Sequence, residues 1–341
     1  MCVVAGYVGK RPAAEVLIRM LEIEQGMGGG YYTGIATVHQ GRLHSAKTLG
    51  DLDILLSQTA AAQLPGTVGI AHSRSKSGGE SQWSHPFLAD GGRLAYLANG
   101  TQGIFKGSTE FGAAGNAALR RGEVLASAAD EPIGEYPVLA DGTCVHMSEI
   151  MAHQIAHRFR QTDDLPAAME LAFGDLPSEI VGLCLHQERP DCFAACRINF
   201  PLVAGRDDTG MYAASTALAF PDSVSWATPI PPNSTACLCR DGVELRPLAR
   251  PFARVAPMPS TMQLERTVVA AVQTGEPQTL GDLCRTTTDL WPQGALDQKT
   301  MAVFETLAAL SHEGALTVQE VRVPGQYDRG TAPLAQFCWA Q

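Results

Sequence analysis

The stretch MCVVAGYVGK at residues 1–10 admits two readings that lead to different proteins. Segment 2–9 is an almost unbroken apolar run closed by Gly9, the pattern of a buried strand. Cys2 within it is either a core cysteine or, once Met1 is removed, a nucleophile at the chain's own N-terminus. The second reading has a chemical basis. A free α-amine titrates at about 7.7–8 and can act as a general base, so amine and thiol on one residue supply base and nucleophile together. Such a centre also needs an oxyanion hole and a cationic anchor for a substrate carboxylate.

Candidates for both stand downstream. A short apolar strand at 93–98 stops at Asn99-Gly100, where a side-chain amide and a glycine N–H can converge on one point; a plain Asn-Gly turn is the alternative. Arg74 ends a second strand, GTVGIAH at 66–72, and a guanidinium there either pairs bidentately with a carboxylate or is a solvated loop charge. Ser75 and Ser77 follow it in a polar loop as candidate substrate contacts, and His85-Pro86 lies beyond them.

Helical periodicity covers 13–24 behind Pro12, and a glycine break follows at 26–30. Strand patterns at 32–39 and 42–48 flank a Gln40-Gly41 turn, 147–160 looks helical, and 179–203 and 210–245 are strand-rich. The strands are too closely spaced for crossover helices, which favours an antiparallel α+β or layered sandwich architecture. PFARVAPMPS at 251–260, with three prolines, reads as a linker separating 1–250 from 261–341. The last segment carries helical patterns at 261–273, 279–286 and 297–312, then strands at 316–323 and 333–339, a winged-helix-like order. It holds five Lys/Arg against nine Asp/Glu, which argues against DNA contact and for packing, dimerisation or a lid.

With 45% hydrophobic and 18% charged residues over 341 positions, the chain can bury a large core. A net charge of −10 opposes nucleic acid and anionic lipid. No apolar run approaches the ~18–20 residues of a membrane span, and no basic segment precedes the first apolar run, so a cytoplasmic protein is expected. Nine cysteines without a Cys-x-x-Cys spacing suggest reduced thiols and no structural zinc; Cys237 and Cys239 share one strand face, where core packing is expected. His146, His153 and His157 form one helical stripe beside Glu149 but span three turns, so core histidines are expected there instead of a metal site. Neither a metal nor a cofactor is expected.

Taken in order, CVVAGYVGKRPAAEVL, GIATV at 34–38, GTVGIAHSR at 66–74, SHPF at 84–87, LANG at 97–100 and SEIMAH at 148–153 resemble the glutaminase domain of class II glutamine amidotransferases, the glucosamine-6-phosphate synthase type most closely. The resemblance covers about residues 2–250 and implies a four-layer αββα N-terminal-nucleophile hydrolase sandwich. It implies Cys2 as nucleophile with its amine as base, Asn99 and Gly100 as oxyanion hole, Arg74 as anchor of the substrate α-carboxylate and His85 as pocket support. The implied activity is cleavage of a glutamine-like amide through a thioester, with ammonia released or passed to a separate acceptor enzyme or within a homo-oligomer.

The departures are specific. The family's R-G-Y-D-S-A-G loop is Gly28-Gly29-Gly30-Tyr31-Tyr32-Thr33-Gly34 here, expected as a flexible loop over the site. The Trp that follows the anchoring Arg is Ser75, and the acid that receives the substrate ammonium falls at Met147, with Glu149 or Asp141 as possible substitutes. Losing such a partner costs several kcal/mol of binding. The sugar-binding second domain of the synthases is not present in residues 261–341. A non-catalytic binding protein that keeps the fold is therefore the rival expectation, and it predicts that Met1 is retained.

Overall fold

The computed structural model describes residues 1–251 and 254–340. Its first element, β1 (Val3–Gly9), is buried along nearly its whole length, on both faces. The order continues with α1 (Ala13–Glu24), β2 (Tyr32–His39), β3 (Arg42–Leu49), α2 (Leu52–Gln58), β4 (Val68–Arg74), β5 (Phe87–Ala89) and β6 (Leu94–Thr101). Helices α3 (Glu110–Arg120), α4 (Met147–Thr162) and α5 (Leu165–Asp175) follow. Strands β7 (Glu179–His186), β8 (Cys192–Arg197), β9 (Val203–Arg206), β10 (Gly210–Ala214), β11 (Trp226–Pro229), β12 (Ser234–Cys239) and β13 (Gly242–Pro247) come next. Last are α6 (Thr261–Val272), α7 (Leu280–Thr286), α8 (Lys299–His312) and the hairpin β14 (Leu316–Pro324) with β15 (Thr331–Trp339).

Two antiparallel sheets carry the architecture. One has seven strands in the order β11-β9-β10-β1-β4-β2-β3, the other six in the order β13-β12-β8-β7-β6-β5. They pack face to face over Val4, Val8, Ile70, Leu97, Leu183, Leu185 and Phe193. The outer face of the first sheet is covered by α1 and α2 through Val3, Ala5, Tyr7, Leu17, Leu21 and Leu55. The outer face of the second is covered by α3, α4 and α5 through Phe111, Ile150, Ile155, Met169 and Phe173. Layers thus run helix, sheet, sheet, helix, as the resemblance implied. The central strands, such as β1, β4 and β7, are buried on both faces, which explains why they are apolar runs with little alternation.

Several expectations change in detail. The strand expected to stop at Ala98 continues to Thr101, and Asn99 and Gly100 pair with Val181 and Ile180, so they are ladder residues and not a turn. Helices α3 and α5 have no counterpart in the sequence reading. The first carries Gly112 and Gly115, which weaken a helical pattern, and the second, starting at Leu165 with Pro166 in its first turn, follows Asp163 in a left-handed cap. Of the Pro-rich stretch 251–260, residues 252 and 253 lie outside the described residues, while Val255 bridges Leu296 and Ala256 is buried. The apolar core of α6–α8 and the last hairpin includes Met27 from the glycine-rich loop. Among the described residues, no helix is long and apolar enough to cross a membrane.

Candidate active site

Register places the site. β1 and β4 are antiparallel, with Val3 opposite Ser73, so Cys2 at the start of β1 lies beside the end of β4 where Arg74 and Ser75 stand. β6 of the facing sheet brings Asn99 to the same point. The Cys2 backbone N–H donates to Asn99 Oδ1 at 3.2 Å, and the Ser75 N–H donates to Cys2 Sγ at 3.5 Å with Ser75 Oγ 3.6 Å away. Asn99 is 1% exposed and its Nδ2 has no partner among the described residues, so one buried donor is left over at the nucleophile. Beside it Gly100 has φ 137°, and a Cβ there would sit 2.1 Å from the Glu179 carbonyl; only glycine fits.

His72 is the residue the sequence reading passed over. Its Nε2–H donates to the Ala98 carbonyl at 2.9 Å across the seam between the sheets. That contact leaves Nδ1, which has no hydrogen-bond partner among the described residues, as the ring nitrogen open to a neighbour. Burial pushes the Cys2 thiol up, but the neighbouring His72 imidazole, the chain's amino terminus and the Ser75 N–H outweigh that and bring it down to about 6. His85 lies against His72 with ring centroids 4.0 Å apart, and burial holds it well below the usual histidine range, so it packs as a neutral ring. Lys47 from β3 holds the His85 segment by donating to the carbonyls of Gln82, Ser84 and Pro86.

Arg74 is 1% exposed and has no carboxylate partner among the described residues. Its Nη1 donates to the Trp83 carbonyl at 3.1 Å and its Nη2 to the Tyr136 hydroxyl at 2.9 Å. Its guanidinium lies 4.4 Å from the Tyr32 ring centroid, with Trp83 and Tyr136 also within 6 Å. Aromatic faces and two neutral acceptors compensate a buried cation only in part, so the group suits an anionic ligand. Ser77 donates to the Ser75 carbonyl at 3.0 Å, keeping the loop after Arg74 curled over the thiol.

A cavity of about 360 Å³ opens beside Gly100, lined by Ser77, Gln102, Lys106, Glu135, Tyr136 and Met147 among others. Neither acid nominated for the missing ammonium partner lines it. Glu149 is buried and accepts from the N–H groups of Ala126 and Ser127 and from the Ser127 hydroxyl, so it is spent on holding that loop. Asp141 accepts from the Thr143 N–H at the surface. The acid on the wall is Glu135, paired with Lys106. It sits in an irregular segment with no periodic signal, which is why sequence reasoning missed it.

The histidines of the α4 stripe have separate partners: buried His146 caps α4, buried His153 faces Glu123 through Nδ1 at 2.6 Å, and half-buried His157 meets Gln161. The glycine-rich loop is pinned, not loose. The Gly30 N–H donates to Ser73 Oγ at 2.7 Å, the Tyr31 N–H to the Arg74 carbonyl, and the Gly26 carbonyl accepts from Ala335 of the last hairpin. Gly30 has φ 85°, and a Cβ there would meet Pro333 at 2.7 Å. The tip of that hairpin also reaches the loop after Arg74: the Gly79 N–H donates to the Tyr327 hydroxyl at 2.8 Å, and Arg329 pairs with Glu80.

No family model matches the chain. Among curated proteins, glutamine–fructose-6-phosphate aminotransferase of Streptomyces coelicolor is 29% identical over 252 residues, 72% of this chain and 36% of that protein. The enzyme of the same name from Pyrococcus horikoshii is 27% identical over 222 residues, 64% of this chain and 33% of that protein. The chain therefore spans about a third of the length of the curated relatives it matches. Among solved structures, glutamine phosphoribosylpyrophosphate amidotransferase from B. subtilis superposes with a TM-score of 0.57 at 16% identity, covering 77% of this chain and 52% of that one. An allosteric regulatory enzyme of purine biosynthesis gives a TM-score of 0.57 at 14% identity, covering 90% of this chain and 63% of that one. In fold, the chain resembles these two structures over three quarters or more of its length.

Proposed function

We propose that this chain is an N-terminal-nucleophile amidohydrolase that cleaves the side-chain amide of glutamine or a close relative, using Cys2 after removal of Met1. The observation that carries the reading is the Cys2 thiol brought down to about 6 between His72, Ser75 and Asn99. At neutral pH the thiolate attacks the amide carbon and a C–S bond forms. The carbonyl oxygen becomes an oxyanion that accepts from Asn99 Nδ2 and the Gly100 N–H. Collapse breaks the C–N bond, and the Cys2 amine, having carried a proton, returns it to the leaving nitrogen so that ammonia departs. Water, deprotonated by the same amine, then hydrolyses the thioester and regenerates the thiol.

Arg74 is the anchor for the substrate carboxylate and Ser75 and Ser77 shape the loop above it. Met147 removes the acid expected for the substrate ammonium, and Glu135 on the cavity wall takes that part. The ammonia is released to water or passed to an acceptor.

The decisive experiment is intact mass after incubation with a diazoketone analogue of glutamine. The expected result is a chain lacking Met1 with one adduct on Cys2, and ammonia release from glutamine that Cys2→Ser abolishes. A chain that keeps Met1, takes no adduct and releases no ammonia from a panel of amides would sink the catalytic reading in favour of a binding protein.

A further inference from the structure

Three cysteines outside the active site converge at the opposite end of the six-stranded sheet. Asn99 pairs with Val181 at the start of β7, whereas Cys192 opens β8 at the other end of that antiparallel pair. The register sets Cys192 directly opposite Cys239 on β12, with Cys237 two residues earlier. Phe193, Ala195, Ala236 and Leu238 point into the core between the sheets, so the alternation of a strand puts all three thiols on the other face. The core packing expected for Cys237 and Cys239 is not what this face provides: all three residues are half-exposed.

Their sulfurs lie within 4.8 Å of one another, and Cys237 Sγ is 3.8 Å from Cys239 Sγ. Zinc–sulfur bonds of about 2.3 Å at tetrahedral angles separate neighbouring sulfurs by about 3.8 Å, so the triangle is close to the size a single ion imposes. Approach is open. Gly242 stands across β13 from Cys239, and a side chain there would meet nothing within 4 Å. Oxygen donors are at hand, with Glu244 directly across from Cys237 and Asp191 next to Cys192.

We propose that Cys192, Cys237 and Cys239 form a zinc site, three thiolates with the fourth position held by water or by one of these carboxylates. Binding exchanges three S–H bonds for three Zn–S bonds and releases the protons to solvent, with no change of oxidation state. The ion clasps β8 to β12 near the edge of the sheet, where β13 has no further partner strand among the described residues. The spacing escapes sequence rules because two ligands sit at i and i+2 on one strand while the third comes from a neighbour 45 residues earlier, at Cys192 against Cys237.

The test uses the full chain, reduced under argon, loaded with zinc and desalted. The expected result is one zinc per chain by elemental analysis, and a thiolate-to-cobalt charge-transfer band when cobalt(II) replaces zinc. Cys237→Ser should lower retained metal at least tenfold and abolish the band with unchanged far-UV dichroism, while Cys284→Ser, a half-buried thiol elsewhere, should leave both intact. Zinc should also protect the three thiols from alkylation until a chelator is added. The proposal is overturned if no zinc is retained or if Cys237→Ser retains it fully.

Discussion

At the scale of single residues, the thiol and its imidazole neighbour set how the site responds to pH. Cys2 is brought down to about 6, so thiolate is present above that value and is lost as the pH falls through it. Alkylation of Cys2 by iodoacetamide should therefore show a midpoint near pH 6. In His72→Asn the midpoint should rise above neutrality, and the rate at pH 7 should fall by about tenfold or more, because an unassisted thiol is only a few per cent ionised there. A midpoint unmoved in that variant would remove His72 from the site. Glu135 makes a separable claim. Glu135→Gln should raise KM about tenfold for amides with a free α-amine, the worth of one charged hydrogen bond, and leave N-acylated amides unaffected. Cys2, Arg74, Asn99 and Gly100 could be nominated from sequence because each opens or closes a recognisable strand, and His85 through the family resemblance. His72 and Glu135 could not. The value of His72 depends on a carbonyl 26 residues away, and that of Glu135 on a loop with no periodicity.

At the scale of elements, strands were easier to see than helices. Runs buried on both faces, such as β1 and β4, stand out as apolar stretches, while α3 and α5 are diluted by glycine, alanine and proline. The last hairpin shows what a list of elements leaves out. Its two strands could be foreseen, but the use of its tip depends on Tyr327, at φ 55°, meeting a loop 248 residues earlier. Tyr327→Phe keeps the ring and removes the acceptor of the Gly79 N–H. Leaving that donor unpaired costs about 1 kcal/mol, so amide exchange at Gly79 should accelerate about fivefold. Because the loop carries Ser75 and Ser77 and not the nucleophile, KM should rise by a similar factor with kcat unchanged. A change in kcat alone would show that the tyrosine does something other than hold this loop.

Taken whole, the molecule is bound together more tightly than a domain and an appendage. Arg322 of β14 reaches the Asp51 carboxylate at 2.6 Å, and that same carboxyl group caps α2. Pro333 packs on Gly30, and Gln298 beside α8 accepts from Arg197 at 2.9 Å. The four layers were legible because strand spacing and apolar texture are local properties. The seam was not, because it consists of single contacts between residues far apart in sequence. It has a consequence for the newborn chain. Synthesis delivers Gly79 well before Tyr327, and 248 residues at about 5–20 per second take about 12–50 s. Asn99 and Gly100 gain their ladder partners on β7, and β1 its neighbour β10, by residue 214, so over the last part of that interval the nucleophile and its oxyanion donors can be in place while the loop above them has no anchor. A ribosome-bound chain would thus carry a reactive thiol before it carries a selective one, and competence for substrate would arrive with the hairpin that bears Tyr327.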